Sequence, residues 1–260
     1  MDARRRRRFA VVSCLLVVSL LAGCAGLGFE TPDSVMAEGR ELFLAKRYDE
    51  AIAKFEHVLE LDSSRWLAYV YIARCYIGKF SWFSAIASAR KAYQLAPSGE
   101  DVIPTFAEAL FGGGVDALKN ARFTDAISNF VEYLRLKPTD AAGYLNVGKA
   151  YLGAGNYGEA LSAFVRGLTQ GGGGSVRQDL VHGLLDGGLQ ALTRGDARNA
   201  VGFLQEYTRH DPQNLTGYLN LGKALWQSGD RLQALNAFRE ALRLQPGNSE
   251  ALQFLQNLGR

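Results

Sequence analysis

The property that most constrains this chain is that it repeats itself. An apolar pattern at helical spacing, YDEAIAKFEHVLELD at 48–62, returns as NYGEALSAFVRGLTQ from 156 and as DRLQALNAFREALRL from 230. Ahead of the last two stand nearly identical segments, GYLNVGKAYLGAG at 143–155 and GYLNLGKALWQSG at 217–229. Apolar residues three and four apart lie on one face of a helix. A unit rewritten at a fixed period buries that face only against its neighbours, so the chain forms an array and not a domain around one core.

Counted in steps of 34 residues, six units fit: 32–65, 66–99, 107–140, 141–174, 181–214 and 215–248. Their eighth position holds Gly39, Ala73, Gly114, Gly148, Gly188 and Gly222, and their twentieth is Ala51, Ala85, Ala126, Ala160, Ala200 and Ala234. The twenty-fourth is Phe55, Phe130, Phe164 and Phe238, with Ala89 and Leu204 as exceptions, and the thirty-second is Pro97, Pro138, Pro212 and Pro246, replaced by Ser63 and Gly172. This pattern resembles the tetratricopeptide repeat, a helix–turn–helix unit of 34 residues. The resemblance implies an all-α, right-handed solenoid with twelve repeat helices. Small residues suit a close approach of paired helices, a large apolar residue fills the space between units, and proline ends the second helix.

Seven residues (100–106) and six (175–180) interrupt the array before units three and five, so the pattern reads as three copies of a two-repeat block. Ala117 and Ala191 replace the family's usual aromatic in these units, and the glycines at 112–114, 187–188 and 171–174 predict loosened helices and turns there. Longer first helices or short extra turns are expected from the insertions. In SEALQFLQNLGR, 249–260, Ser249 is a candidate N-cap and Leu252, Phe254, Leu255 and Leu258 form an apolar stripe. This segment is the expected terminal cap of the array.

The N-terminus reads as an address. Arg4 to Arg8 precede a 14-residue apolar run from Phe9 to Ala22, too short for the roughly 20 residues that cross a bilayer as a helix. Leu21-Ala22-Gly23-Cys24 resembles the lipobox of bacterial lipoproteins, which implies a signal peptide at 1–23, lipid on Cys24 and a short tether at 24–31. Two or more acyl chains would anchor the protein stably. Ala25 in place of Asp favours the periplasmic face of an outer membrane. The formal charge of +3 rests on the arginine block: without residues 1–23, 24 basic and 25 acidic side chains remain, and a nucleic-acid footprint disappears. Three scattered cysteines and three scattered histidines form neither a disulfide framework nor a metal cluster, and Cys75 reads as a small buried residue.

Two near-motifs of enzymes fail in context. Gly143 to Ala150 and Gly217 to Ala224 approach GxxxxGK[ST], but they place Ala where magnesium needs a hydroxyl and lie inside a helix. Gly153-x-Gly155-x-x-Gly158 has the letters of a dinucleotide loop without its strand, and reads as the turn of unit four. No catalytic residues, cofactor, metal or small-molecule substrate is expected.

In peptide-binding members of the family, first-helix residues line a groove. Carried over, the resemblance points to Arg40, Tyr71, Arg74, Asn146, Lys149, Asn220, Lys223 and Trp226, with Phe43, Leu145 and Leu219 as apolar surface beside them. An amide one turn from a cation could hold a peptide backbone and a carboxylate together. Lys and Arg stand where the family's carboxylate clamp uses Asn, so the chaperone-tail function does not transfer. Expected is a non-catalytic scaffold for a protein segment, extended or helical, at the periplasmic face of the outer membrane. Repeat number and lipobox are similar to those of the pilotins of the type IV pilus secretin. The other reading is an adaptor subunit of an envelope enzyme system, such as polysaccharide export or control of cell-wall hydrolases.

Overall fold

The computed structural model describes residues 30–171 and 173–258. The segments expected to be a signal peptide and a tether, residues 1–23 and most of 24–31 with Cys24, lie outside the described residues, as does Gly172. Thirteen helices follow one another, with no strand among the described residues. They pair as α1 (Pro32–Leu44) with α2 (Tyr48–Leu61), α3 (Trp66–Gly78) with α4 (Trp82–Leu95), and α5 (Val102–Lys119) with α6 (Phe123–Leu136). The array continues with α7 (Ala141–Ala154) and α8 (Tyr157–Thr169), α9 (Gly174–Thr193) and α10 (Ala197–His210), and α11 (Leu215–Ser228) and α12 (Arg231–Leu244), and it closes with α13 (Ser249–Leu258). The fold is an all-α solenoid of helix pairs.

Helix ends follow local chemistry. Pro97, Pro138, Pro212 and Pro246 each stand two residues beyond the end of a second helix, where a missing N–H costs nothing. Asp140 and Asn214 accept the backbone N–H of Ala142 and Gly217 at the starts of α7 and α11, and Asp196 and Asp230 do the same for Asn199 and Gln233. Each such cap contributes about 1 kcal/mol. The turn inside every pair passes through one residue of positive φ: Lys46, Phe80, Ala121, Gly155, Gly195 and Gly229. Glycine adopts that backbone without strain, so the last three turns are relaxed and the first three are not.

The eighth-position glycines are explained by contact with the twenty-fourth position of their own unit. A Cβ on Gly39, Gly114, Gly148 or Gly222 would lie 2.5–2.7 Å from the ring of Phe55, Phe130, Phe164 or Phe238, all of which are fully buried. Phe164 also spans units, because a Cβ on Gly183 would come within 2.9 Å of it. In unit two both positions are alanine, Ala73 and Ala89, and the vacated space belongs to Phe106, which packs in one cluster with Ala73, Ala85 and Ala89. Leu180, 74 residues further on, is buried against Gly167 in the same way.

Two expectations are corrected. The glycines at 112–114 and 187–188 do not loosen their helices. The inserted residues continue α5 and α9 N-terminally to 18 and 20 residues, and both helices run unbroken. These glycines admit neighbours instead: Trp82 and Ile86 at Gly112 and Gly113, Phe203 and Leu204 at Gly187 and Gly188. At the terminal helix, the cap is Asn248, whose Oδ1 accepts the N–H of Ala251 at 3.0 Å, and Ser249 is already helical. Its inward face is Ala251, Phe254 and Leu255, with Phe254 stacked on Phe238 at 4.6 Å, while Leu252 points outward.

Candidate peptide groove

The first helices α1, α3, α5, α7, α9 and α11 carry the residues that the repeat pattern assigns to a groove. Their placement divides those residues into three kinds. Leu145 and Leu219 are 6% and 8% exposed and belong to the core. They supply no groove surface, because both are packed into the same buried cluster. Phe43 is half-buried and meets Tyr71 edge-on at 5.6 Å.

A second kind is engaged inside the molecule. Tyr71 stacks on Phe55 at 5.1 Å and has two guanidinium groups near its ring, Arg40 at 5.1 Å and Arg74 at 5.7 Å from the centroid. Arg74 pairs with Asp101 at 3.1 Å and donates to the buried Thr105 hydroxyl at 3.2 Å, which ties unit two to the insertion before α5. Lys223 pairs with Glu250 of α13 at 2.6 Å. Trp226 is half-buried in the cluster that includes α13, with Arg231 over its ring at 5.4 Å. Asn146 and Asn220 each donate one amide N–H to their own helix, at Ala142 and Thr216, which leaves one N–H and the Oδ1 of each.

Arg40 and Lys149 form the third kind. Both are exposed, and neither has a carboxylate partner among the described residues. Each lines a depression. Arg40, Met36, Leu67 and Arg65 surround a cavity of about 240 Å³ between α1 and α3. Lys149, Leu152, Asp179, His182, Asp186 and Gln190 surround one of about 420 Å³ between α7 and α9. The acidic wall of that second cavity is new. Asp179, His182 and Asp186 recur at i, i+3 and i+7, a spacing that places them on one face of α9. That spacing is legible in the sequence, but the groove residues assigned from the repeat pattern lie in units one, two, four and six, and these three lie in unit five and the insertion just ahead of it. Lys149 and Lys223 share a repeat position without sharing an environment: one faces an open mixed-charge depression, the other is held by the terminal helix.

The near-motifs have structural explanations. A Cβ on Gly143 would meet Tyr133 at 2.8 Å and one on Gly148 would meet Phe164 at 2.5 Å, so these glycines serve helix packing inside α7. Gly153 lies against Phe123, Gly155 ends α7 with φ +79°, and Gly158 faces open space. Cys75 is fully buried, and burial pushes its thiol up to about 12.

Tetratricopeptide repeat profiles match residues 111–175 and 216–248. Comparison with curated protein sequences finds no match. Among solved structures, Naa15/Naa10 bound to HypK-THB is similar at a TM-score of 0.52 and 17% identity, over 87% of this chain and 33% of that one. This chain therefore spans about a third of that protein's length. YrrB, a repeat protein with an unusual peptide-binding site, gives 0.43 at 19% identity over 78% and 97% of the two chains. PilF of Pseudomonas aeruginosa gives 0.36 at 18% over 87% and 97%.

Proposed function

We propose that this chain, a solenoid of tetratricopeptide repeats, is a non-catalytic scaffold that holds a protein segment on its first-helix face and helps to assemble a complex of the bacterial envelope. The observation that carries the reading is the pair of cations without an ion-pair partner among the described residues, Arg40 beside a cavity floored by Met36 and Leu67, and Lys149 beside one that is polar apart from Leu152. A carboxylate-bearing segment gains charge-assisted hydrogen bonds at both, and apolar side chains fill the spaces between. Asp179 and Asp186 add selectivity, favouring a segment that carries a cation close to its acidic group. A pilotin-like role belongs to this reading through the lipobox at Leu21–Cys24, which would put the scaffold on a membrane by lipid on Cys24, facing the periplasm.

The test begins with capture of the partner from detergent extracts by the wild-type protein. Its affinity is then measured for Arg40→Glu, Lys149→Glu and Arg239→Glu, the last an exposed change on the second helix of unit six. Weakening by the first two alone supports the groove. Equal affinity for all four proteins places the partner elsewhere.

A further inference from the structure

The turn edge of units one to three combines features that serve neither the core nor the groove. Phe80 occupies the positive-φ position of its turn, φ 56°, where glycine stands in units four to six. A bulky side chain is an outlier in that region, yet Phe80 contributes little to packing, being 75% exposed. Phe83 is 89% exposed and Leu44, which ends α1 ahead of the preceding turn, 78%. The two turns are neighbours: Lys79 pairs with Asp49, and a Cβ on Gly78 would meet the Tyr48 ring at 2.6 Å. Phe80 is propped edge-on against Trp82 at 5.9 Å. Strain that persists at an exposed position marks a site under a functional demand.

The surroundings indicate what meets this edge. Lys46, Arg47, Lys79 and Arg122 lie on the turns of units one to three, and Lys119 ends α5 beside the third. Arg47, Lys79 and Arg122 are paired with acids, while Lys46 and Lys119 have no carboxylate partner among the described residues. Aromatic and aliphatic tips flanked by lysines suit the boundary between headgroups and acyl chains, with the cations drawn to anionic lipid. Reach agrees with this. From Cys24 to Glu30, which is fixed by His57 at 2.8 Å, six residues span at most about 21 Å. The 13 residues of α1 run about 19 Å from that end to the turn edge. Six residues are therefore long enough for an acyl anchor on Cys24 to reach the level of Leu44 and Phe80.

We propose that Leu44, Phe80 and Phe83 form a second membrane contact, which enters the surface of an anionic bilayer and orients the solenoid on it. This rests on the reading of Cys24 as lipidated. The test uses the mature lipid-bearing protein in vesicles of phosphatidylethanolamine and phosphatidylglycerol that carry a photoactivatable diazirine lipid, with labelled positions mapped by peptide mass spectrometry. The expected result is label concentrated at 44–47 and 79–84, falling several-fold in Phe80→Gly with Phe83→Ser and in Phe83→Ser alone. Phe80→Gly relieves the strained turn, so its melting midpoint should equal or exceed wild type, which separates lost contact from lost fold. The mass of the N-terminal peptide and flotation with the vesicles report the anchor independently. Anchored wild-type protein without label at 79–84, or labelled equally on other surfaces, overturns the proposal and leaves a protein as the occupant of this edge. A lipid-free N-terminus overturns the anchor, and with it the reach argument.

Discussion

Gly148 and Phe164, sixteen residues apart on paired helices, touch so closely that a methyl group on the glycine would lie 2.5 Å from the ring's Cε1. In a helix, replacing glycine by alanine ordinarily gains about 1 kcal/mol. Here the added carbon must displace a fully buried ring, and overpacking costs about 1–3 kcal/mol. Gly148→Ala is therefore expected to destabilise. Gly158→Ala, at a helical position with nothing within 4 Å, should be neutral or stabilising by a few tenths to about 1 kcal/mol. Urea midpoints for the two variants should move in opposite directions, and a stabilised Gly148→Ala would show that Phe164 is free to yield.

The two repeat-equivalent lysines should separate in their effects. Lys149→Glu is expected to leave the melting midpoint within error and to weaken partner binding, by about 0.5–1 kcal/mol for an exposed contact. Lys223→Glu sets a carboxylate against Glu250 and should loosen α13, with a stability loss of about 0.5–1 kcal/mol. Hydrogen exchange across 249–258 reads that loosening, and unchanged protection there would mean that the pair does not hold the terminal helix.

Cys75 should resist alkylation while the solenoid is folded. Only the thiolate reacts, and a thiol raised to about 12 is almost wholly protonated at pH 8. Iodoacetamide with peptide mapping is expected to leave residue 75 unmodified in buffer and to modify it fully in concentrated urea. Rapid modification of the folded protein would mean that unit two opens readily.

His57 gives the N-terminal unit a pH dependence. Its two ring nitrogens face Glu60 at 2.9 Å and Glu30 at 2.8 Å, and hydrogen bonds to these carboxylates raise its pKa above the usual 6.5. A raised folded-state pKa stabilises where the imidazolium exists in both states, below about pH 6.5, and the contribution fades as pH climbs through the folded value. The difference in α1 protection between wild type and His57→Gln should accordingly be largest in mild acid and vanish in alkali. A difference that is flat across pH would assign His57 a packing role only.

Much of the architecture was legible because it is periodic. Gly148 and Phe164 recur at matching repeat positions, and the contact between them lies within a single helix pair, so spacing alone carries that information. What was hidden lies between units. Nothing in the composition of the insertion says that Phe106 fills the space beside Ala89, or that Asp101 and Thr105 take the guanidinium of Arg74, because those meetings depend on how α5 crosses α3 and α4. For the same reason Leu145 and Leu219 were read as surface: repeat position gives the face of a helix, and how deeply the next helix covers that face is settled by packing.

Phe106 and Leu180 stand 74 residues apart and act as equivalent plugs at the joints between two-repeat blocks. Inside the second and third blocks, Tyr133 bonds to Asp140 and Tyr207 to Asp211, with Gly143 and Gly217 beneath those rings. A cut just after Phe106 and a splice just after Leu180 would therefore rejoin compatible surfaces, whereas removal of a single 34-residue unit would leave one plug without its seat. The span between the two ends of this molecule is in that sense quantised: such a ruler grows or shrinks by whole blocks of two units.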